Sequence, residues 1–197
     1  SITTSTLADN TYSLTVTATD AAGNISVASS ALSITVDTII PTIDITSDVS
    51  SLKAGESAGL TFTLSEESTD FVEADITATG GSISNFAGSG TTYTATFTPT
   101  DNSNADGVIS VSSDKFNDAA GNANNAVSNT VTLSVDTIEP TISIATDVTE
   151  LKVGEQATLT ITLSEPSTDF TADDISAAGG SITAFSGEGT SLSLIHI

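Results

Sequence analysis

The chain lacks cysteine, methionine and tryptophan, and its three basic residues are all lysines. Without cysteine it has no disulfides and no thiolate metal site, so it is either an intracellular protein or an exported one stabilised in another way. It also lacks a run of about 18 apolar residues, so no membrane-spanning helix is expected. With neither a starting methionine nor a charged-then-apolar leader, the sequence is expected to be an excerpt from a longer protein.

Positive charge is nearly absent: three lysines face 25 acidic residues, for a formal net charge of -22. This balance argues against nucleic acid and against anionic membrane as partners, because both require clustered cations. Such an acidic surface is instead expected to attract cations. Hydrophobic residues still make up 38% of the chain, unlike the composition of disordered proteins, so the charge is expected to lie on a folded surface.

A catalytic site is not expected from this composition. Pairs of carboxylates occur, as they would by chance in an acidic chain, but no cysteine, arginine or well-placed histidine lies beside one to tune its pKa. The glycine pairs join strand to strand and present no helix N-terminus to a phosphate. Aromatic residues are few and fall mostly at inward strand positions, which leaves no obvious stacking surface for a sugar.

What the chain does contain is a long internal repeat. The segment Val36–Thr42 returns almost unchanged as Val135–Thr141, 99 residues later, and the similarity continues without a gap for half of the repeat. This period suits a whole β-sandwich of about 100 residues. The repeat therefore predicts three domains: residues 1–36 as the end of a preceding repeat, 37–135 as a complete one and 136–197 as the beginning of a third.

Alternation of apolar and polar residues predicts half-buried antiparallel strands, for example with Leu60, Phe62 and Leu64 inward. Gly80–Gly81 is predicted to be a two-residue hairpin turn, and Tyr12 stands at a strand start, where sandwiches often carry a tyrosine corner. The fold class is therefore all-β, a tandem array of immunoglobulin-like Greek-key β-sandwiches, one complete and two partial. The complete domain is expected to have seven strands, at residues 41–46, 58–64, 75–79, 82–87, 91–98, 107–113 and 126–135.

Acidic residues from distant parts of the sequence are expected to meet at the entry of each domain. Successive strands of a seven-strand sandwich alternate in direction, so the entry segment, the loop after the second strand and the loop after the sixth strand share one pole. Oxygen atoms gathered there would suit Ca²⁺, which takes six to eight oxygen ligands. Ca²⁺ is therefore the expected cofactor, and the candidate ligands are Asp9 of the preceding domain, Asp37, Glu66, Asp118, Asn122 and, by repeat, Asp136.

A structural explanation competes with the metal one. The loop Asp118–Asn122 has the same sequence as Asp20–Asn24, and Asp-x-x-Gly-Asn is also ordinary turn chemistry, in which the aspartate accepts backbone N–H groups and glycine takes a positive φ. Both interpretations stay open on the sequence alone. For Asp75 and Asp174, which open the third strand of two repeats, capping of the preceding turn is favoured over ligation.

The last six residues depart from the repeat. Where the complete domain has Tyr93–Thr98, the third has Leu192–Ile197, which includes the only histidine. This ending resembles the translation of a transposon-end adapter from a sequencing library, and a divergent strand is the alternative. On either interpretation His196 is not expected to be a ligand.

Together these features resemble the bacterial Ig-like repeats of giant surface adhesins exported by type I secretion. The resemblance is carried by the Asp-Thr-Ile-x-Pro-Thr segments, the loops Leu52–Glu56 and Leu151–Glu155, and the two Asp-Ala-Ala-Gly-Asn loops. Residues 37 to about 191 fit it well, whereas residues 1–36 resemble a sister type of repeat. The resemblance implies an extracellular or bacterial cell-surface location and Ca²⁺ between domains in place of disulfides. The ligands that it implies are Asp37, Asp118, Asn122 and, by repeat, Asp136.

The expected function is that of a non-catalytic, calcium-stiffened stalk in cell adhesion or biofilm formation. Its partners would be the neighbouring repeats of the same chain, with any surface or glycan ligand held by other domains. Two alternatives remain: a repeat that itself binds a glycan or surface, and a spacer within an exported multidomain glycan hydrolase. Outward positions dominated by threonine and serine favour the spacer over the binding module.

Overall fold

The computed structural model describes residues 7–196, which form β-strands connected by loops and two short 3-10 turns. No helix within this range is long and apolar enough to cross a membrane. The chain divides into two compact units, one ending at Ile138 and the other beginning at Glu139. The strands are β1 (Asn10–Leu14), β2 (Leu32–Val36), β3 (Ile43–Ser47), β4 (Ser51–Lys53), β5 (Ala58–Ser68), β6 (Ile76–Thr79), β7 (Gly81–Pro99), β8 (Gly107–Val111), β9 (Val131–Asp136), β10 (Ile142–Thr146), β11 (Ala157–Leu163), β12 (Ile182–Glu188) and β13 (Ser191–His196).

Strands β3 to β9 form a two-sheet sandwich, which is called the central domain below. One sheet has the strand order β3-β5-β7 and the other the order β4-β9-β8-β6. The alternating residues predicted to point inward do so, since Leu60, Phe62 and Leu64 are each at most 3% exposed. The all-β, immunoglobulin-like fold is therefore confirmed. The core also contains Ile43, Ile45, Leu52, Phe71, Tyr93, Phe97, Ile109, Val111, Phe116, Leu133 and Val135.

Among the strands of the central domain that differ from the prediction are β4 and β5. β4 was not predicted; it is a three-residue strand that forms by parallel pairing with β9. β5 continues to Ser68 instead of ending at Leu64, so Glu66 lies on a strand and not in the loop that follows it. Asp75 accepts a hydrogen bond from the Val72 N–H at 2.9 Å, and Asp174 makes the equivalent bond at 2.8 Å, which confirms the capping role.

Strand β9 begins at Val131 and not at residue 126, because the preceding residues use side chains to hold the two sheets together. Asn129 accepts from the N–H of Ile45 and donates to its carbonyl oxygen, both at 2.7 Å. The hydroxyl of Ser128 accepts from the Val111 N–H at 2.9 Å. Side chains therefore replace part of the backbone ladder that the alternation had predicted.

The prediction of a hairpin at Gly80–Gly81 is wrong. The strands on either side do not pair with each other: β6 pairs with β8 in one sheet and β7 pairs with β5 in the other. The chain thus crosses between sheets at this point. Gly80 has a φ of +74°, and a Cβ there would lie 2.2 Å from the backbone oxygen of Asp106, so the crossing is too tight for any other residue.

Glycine is also required beside Phe97, one of the fully buried aromatic rings of the core. A Cβ at Gly107 would lie 2.6 Å from two ring carbons of Phe97, which is fully buried and has no room to move. We expect Gly107→Ala to destabilise the central domain by about 1–3 kcal/mol. The measurement is denaturant unfolding. Gly59→Ala is the matched control, because the three atoms nearest its Cβ all belong to the side chain of Asp48, which can move; equal losses in the two variants would contradict the packing argument.

The chain on either side of the central domain forms partial sandwiches. β1 and β2 are an antiparallel pair, in which the Tyr12 hydroxyl donates to the Ala8 carbonyl oxygen at 2.9 Å, so the predicted tyrosine corner is confirmed.

Strands β10 to β13 form one sheet in the order β10-β11-β13-β12. Leu192 and Leu194 are buried in it. The adapter origin of residues 192–197 stays a prediction for the nucleotide sequence to test; residue 197 and the side chain of His196 lie outside the described part.

Candidate metal centre

Three carboxylates from separate parts of the sequence meet at the entry of the central domain. Asp37 follows β2, Glu66 lies near the end of β5, and Asp118 lies in the loop between β8 and β9. One oxygen from each lies within 4.8 Å of the others. Asp37 and Glu66 are half-buried and Asp118 is buried. The alternating strand directions place these three elements at one pole, as the sequence predicted.

Asp118 is held by the turn that it begins. Its Oδ1 accepts from the backbone N–H groups of Ala120, Gly121 and Asn122 at 2.7–2.9 Å. Burial alone would raise the pKa of Asp118, but these bonds and one from the Asn122 side chain outweigh it and lower the pKa. Asp118 is therefore kept ionised, and its geometry is fully explained by turn chemistry.

The loop Asp20–Asn24 makes the same kind of turn without the neighbouring carboxylates. Asp20 Oδ1 accepts from the N–H groups of Ala22 and Asn24, and its Oδ2 accepts from the Asn24 side chain at 2.7 Å. Asp20 is exposed and is not part of the acidic cluster. The repeated loop sequence thus encodes a turn in both places, and only the surroundings of Asp118 point to a metal.

Asn122 joins two members of the cluster. Its Nδ2 donates to Asp118 Oδ2 at 2.8 Å and to the backbone oxygen of Asp37 at 3.1 Å. In this arrangement Asn122 acts as a donor that fixes the entry segment against the loop, and not as an oxygen ligand. The Asp37 carboxylate is oriented separately, by accepting from the Ile39 N–H at 3.1 Å.

Asp9 connects residues 7–36 to the same pole. Its carboxylate accepts from the backbone N–H of Thr38 at 3.1 Å and from the Thr38 hydroxyl at 2.9 Å. The sequence analysis missed Thr38, although the Asp-Thr pair recurs at Thr137, whose hydroxyl accepts from the Ser103 N–H and donates to the Thr100 carbonyl oxygen. Both threonines thus tie an entry segment to a loop of the domain before it.

Glu66 is the least satisfied member of the cluster. Its Oε2 is buried and has no hydrogen-bond partner. Burial raises the pKa of Glu66, and the negative charges of Asp37, Asp118 and Asp9 raise it further; a proton on Glu66 would also be shared with Asp118. No lysine relieves this repulsion, because Lys53–Glu56 is the one ion pair among residues 7–196.

This donor set fits a hard divalent cation. Such ions prefer carboxylate and backbone oxygens, and Ca²⁺ accepts irregular geometry. The unpartnered Glu66 oxygen, together with the carboxylates of Asp37 and Asp118, offers what a cation would need at this pole. Asp136 is exposed at the end of β9, where it accepts from the Ile138 N–H, and it belongs to no such cluster among the described residues.

Comparisons with known proteins agree with this architecture. A model of the bacterial Ig-like domain matches residues 37–135 and 136–194, and a second model with the same description matches residues 1–38. No match was found among curated proteins.

Two solved structures that resemble the chain are adhesins. The Escherichia coli adhesin FdeC is 17% identical, with 85% of this chain and 60% of that chain covered and a TM-score of 0.41. The Yersinia pseudotuberculosis adhesin InvE is 16% identical, with 78% of this chain and 50% of that chain covered and a TM-score of 0.35. The chain thus spans less than two thirds of either structure.

Proposed function

Since this chain belongs to the bacterial Ig-like domain family, we propose that it is a non-catalytic spacer of an extracellular adhesin, stiffened by Ca²⁺ where domains meet. The observation that carries the proposal is the convergence of Asp37, Glu66 and Asp118 at the entry of the central domain, with a buried Glu66 oxygen left without a partner. A place at the bacterial cell surface, in adhesion or biofilm formation, is part of the same proposal.

Stiffening would act on the short segment between β2 and β3. A bound Ca²⁺ would offset the repulsion between the three adjacent carboxylates. Asp37 belongs to the connecting segment itself, whereas Glu66 and Asp118 belong to the sandwich. Holding all three together therefore fixes the segment to the domain that it enters. The bonds from Thr38 to Asp9 extend this connection to the preceding residues.

A spacer role agrees with the rest of the surface. Outward strand positions carry mainly threonine and serine, which suit strands and stay hydrated. The acidic residues outside the cluster repel one another and oppose collapse of a tandem array. No nucleophile, base and oxyanion donor come together among the acidic groups described above, so catalysis is not part of the proposal.

Calcium is expected to change both the rigidity and the stability of the chain. Small-angle scattering of the 197-residue chain should give a smaller maximum dimension or a broader distance distribution in chelator than in Ca²⁺, because the connecting segment is then free to bend. In Asp37→Ala the Ca²⁺ form should resemble the chelator form while each sandwich stays folded. Identical scattering curves of the parent chain with and without Ca²⁺ would contradict the proposal of a calcium-stiffened stalk.

The raised pKa of Glu66 predicts how stability depends on pH without calcium. Its folded pKa lies above the unfolded one, so the ionised form destabilises the fold, and this penalty is relieved as pH falls through the folded pKa. In chelator, the melting temperature of the parent chain should rise relative to Glu66→Gln as pH is lowered from neutrality through the raised pKa of Glu66. Added Ca²⁺ should reverse the trend, because protons then compete with the cation. If the melting temperatures of the parent and of Glu66→Gln changed equally with pH, the assigned environment of Glu66 would be wrong.

A second candidate function has one observation in its favour. An open cavity of about 570 Å³ is lined by three aromatic residues, Phe71, Phe86 and Tyr93, and by Glu67. Aromatic faces and carboxylates are what a sugar-binding site would use. However, Phe71 and Tyr93 are at most 4% exposed, and the Tyr93 hydroxyl already donates to the Ser68 carbonyl oxygen. These two rings therefore belong to the hydrophobic core and offer little surface to a sugar. Saturable binding of the chain on a glycan array, lost in Glu67→Ala, would favour this function over the spacer.

A further inference from the structure

Strand β4 joins the beginning of the central domain directly to its end. It follows β3 after a short bend and pairs in parallel with β9, the last strand of the domain. The paired residues are Ser51 with Ser134, Leu52 with Val135 and Lys53 with Asp136. In addition, the Ser134 N–H donates to the Ser50 carbonyl oxygen at 3.0 Å. The first and last parts of the domain are therefore bonded to each other, and not only to the strands between them.

The parallel direction of this pair determines how it responds to tension. The chain enters the domain before β3 and β4 and leaves it after β9, so a pull from both sides draws β4 towards the entry and β9 towards the exit. The two strands would have to slide along each other, and all the bonds between them share the force. Strands that are pulled apart from one end instead lose their bonds one after another. The same bonds therefore resist more force in the first arrangement than in the second.

A side chain makes a second bridge between the two ends of the domain. β3 is the edge strand of its sheet and pairs only with β5. On its outer edge the amide of Asn129 binds the N–H and the carbonyl oxygen of Ile45, both at 2.7 Å. Asn129 lies two residues before β9. The entry strand is thus bonded both to β5 and to the segment that leads to the exit.

Both bridges lie against the hydrophobic core. Leu52 of β4 and Val135 of β9 are each 4% exposed, and Ile45 of β3 is 2% exposed. Water, which competes for backbone hydrogen bonds, is therefore kept from the inner side of these contacts. Hydrogen bonds are stronger in such a surrounding of low dielectric constant.

We propose that the central domain withstands tension through a clamp that consists of the β4–β9 pair and the two Asn129–Ile45 bonds. Tension between entry and exit would act on the clamp first, and the rest of the sandwich would unfold once the clamp has broken. The use of such a clamp to the cell rests on the spacer role proposed above. The clamp itself needs no Ca²⁺, because its bonds are already formed between protein groups.

Single-molecule stretching of the full chain tests the clamp. The chain has no cysteine, so Ile40→Cys and Ile138→Cys provide two unique attachment points, at exposed positions on either side of the domain. All measurements are made in chelator, so that a failure of the calcium proposal would not affect them. Unfolding of the whole domain should release roughly 300 Å of chain, at about 3.3–3.6 Å per residue.

A second pair of attachment points changes the direction of the force and leaves every bond of the clamp in place. Ala54→Cys replaces Ile40→Cys, because Ala54 is exposed and directly follows β4. Ala54 and Ile138 both lie just beyond the paired residues Lys53 and Asp136, so the pull opens the β4–β9 pair from that end. At the same constant force the domain should unfold at least about a hundredfold faster, because the three pairs no longer share the force. Equal unfolding rates in the two directions would overturn the proposal.

Two neighbouring residues separate the clamp from general stability. Asn129→Ala removes the two bonds to Ile45. Ser128→Ala also removes two bonds, from the Val111 N–H to the hydroxyl and from the hydroxyl to the Asn129 carbonyl oxygen. Both variants should lose similar stability in denaturant. Ser128 does not bond the two ends of the domain together, which makes Ser128→Ala the matched control.

Under force between entry and exit the two variants should differ. Asn129→Ala should unfold at least about tenfold faster than the parent, because two bonds that must break before unfolding are absent. Ser128→Ala should unfold at nearly the parent rate. If Ser128→Ala accelerated unfolding under force as much as Asn129→Ala does, the assignment of Asn129 to the clamp would be wrong.

Discussion

Replacing Phe71 with alanine is expected to destabilise the central domain by about 3–5 kcal/mol, the usual cost of truncating a buried phenylalanine. Phe71 is 3% exposed, and its ring lies 5.1–5.8 Å from the rings of Phe62, Phe86, Tyr93 and Phe116. It is the only aromatic residue that contacts all of the others in this cluster. Its loss leaves a cavity between the two sheets that rigid neighbouring rings cannot fill.

The internal repeat supplies a matched control. Phe170 occupies the equivalent position 99 residues later, but it is half-buried and its one aromatic neighbour is Phe185 at 6.1 Å. Phe170→Ala should therefore cost much less. Tyrosine fluorescence reports only on Tyr12 and Tyr93. The unfolding of Phe170→Ala is therefore followed by circular dichroism, to which the strands after Glu139 also contribute. A loss below about 1 kcal/mol for Phe71→Ala would mean that the cluster is not the centre of the core.

The fold was largely predictable because a half-buried sheet has a period of two. Alternation alone assigned Leu60, Phe62 and Leu64 to the core, and strand direction alone brought Asp37, Glu66 and Asp118 to one pole. Both arguments need only local residues and the rule that consecutive strands reverse. They do not depend on side-chain detail, which is why they succeed without a structure.

What the sequence could not predict depends on contacts between distant residues. β4 exists only because β9 lies beside it, and a three-residue segment carries no alternation to reveal it. Asn124 is fully buried, although asparagine usually lies at the surface. Its side chain accepts from the N–H groups of Lys115 and Phe116 and donates to the carbonyl oxygens of Ser112 and Ala126, which fixes the loop that carries Asp118.

The same limit applies to the repeated Asp-Ala-Ala-Gly-Asn loops. Their sequences are identical and both form the same kind of turn, yet among the described residues only Asp118 lies with other carboxylates. The motif therefore identifies a turn, and the position of the turn in the fold decides whether a cation has anything to bind. Because the two loops share a sequence and a turn but differ in their surroundings, each can serve as the control for the other.

Asp118→Asn is expected to reduce the calcium response of the chain to about half or less. In the parent, Ca²⁺ at about 100 times its dissociation constant should stabilise the fold by about 2.7 kcal/mol. The variant loses one of three ligand charges, and its calcium affinity should fall at least about tenfold, because ligand charge sets the affinity of such sites. Calorimetric titration and the melting temperature with and without chelator measure both effects.

Asp20→Asn separates ligand loss from turn damage. Each substitution replaces an aspartate that accepts two or more backbone N–H groups, so the damage to the turn is similar in both. Only Asp118 lies with Asp37 and Glu66, so only its variant should lose calcium binding. Without calcium, Asp118→Asn should be the more stable of the two variants. Removing the Asp118 charge relieves the repulsion on Glu66, whereas removing the Asp20 charge does not. If both variants kept the full calcium response, the three carboxylates would be an acidic cluster held by turn chemistry, and the stalk would need another source of stiffness.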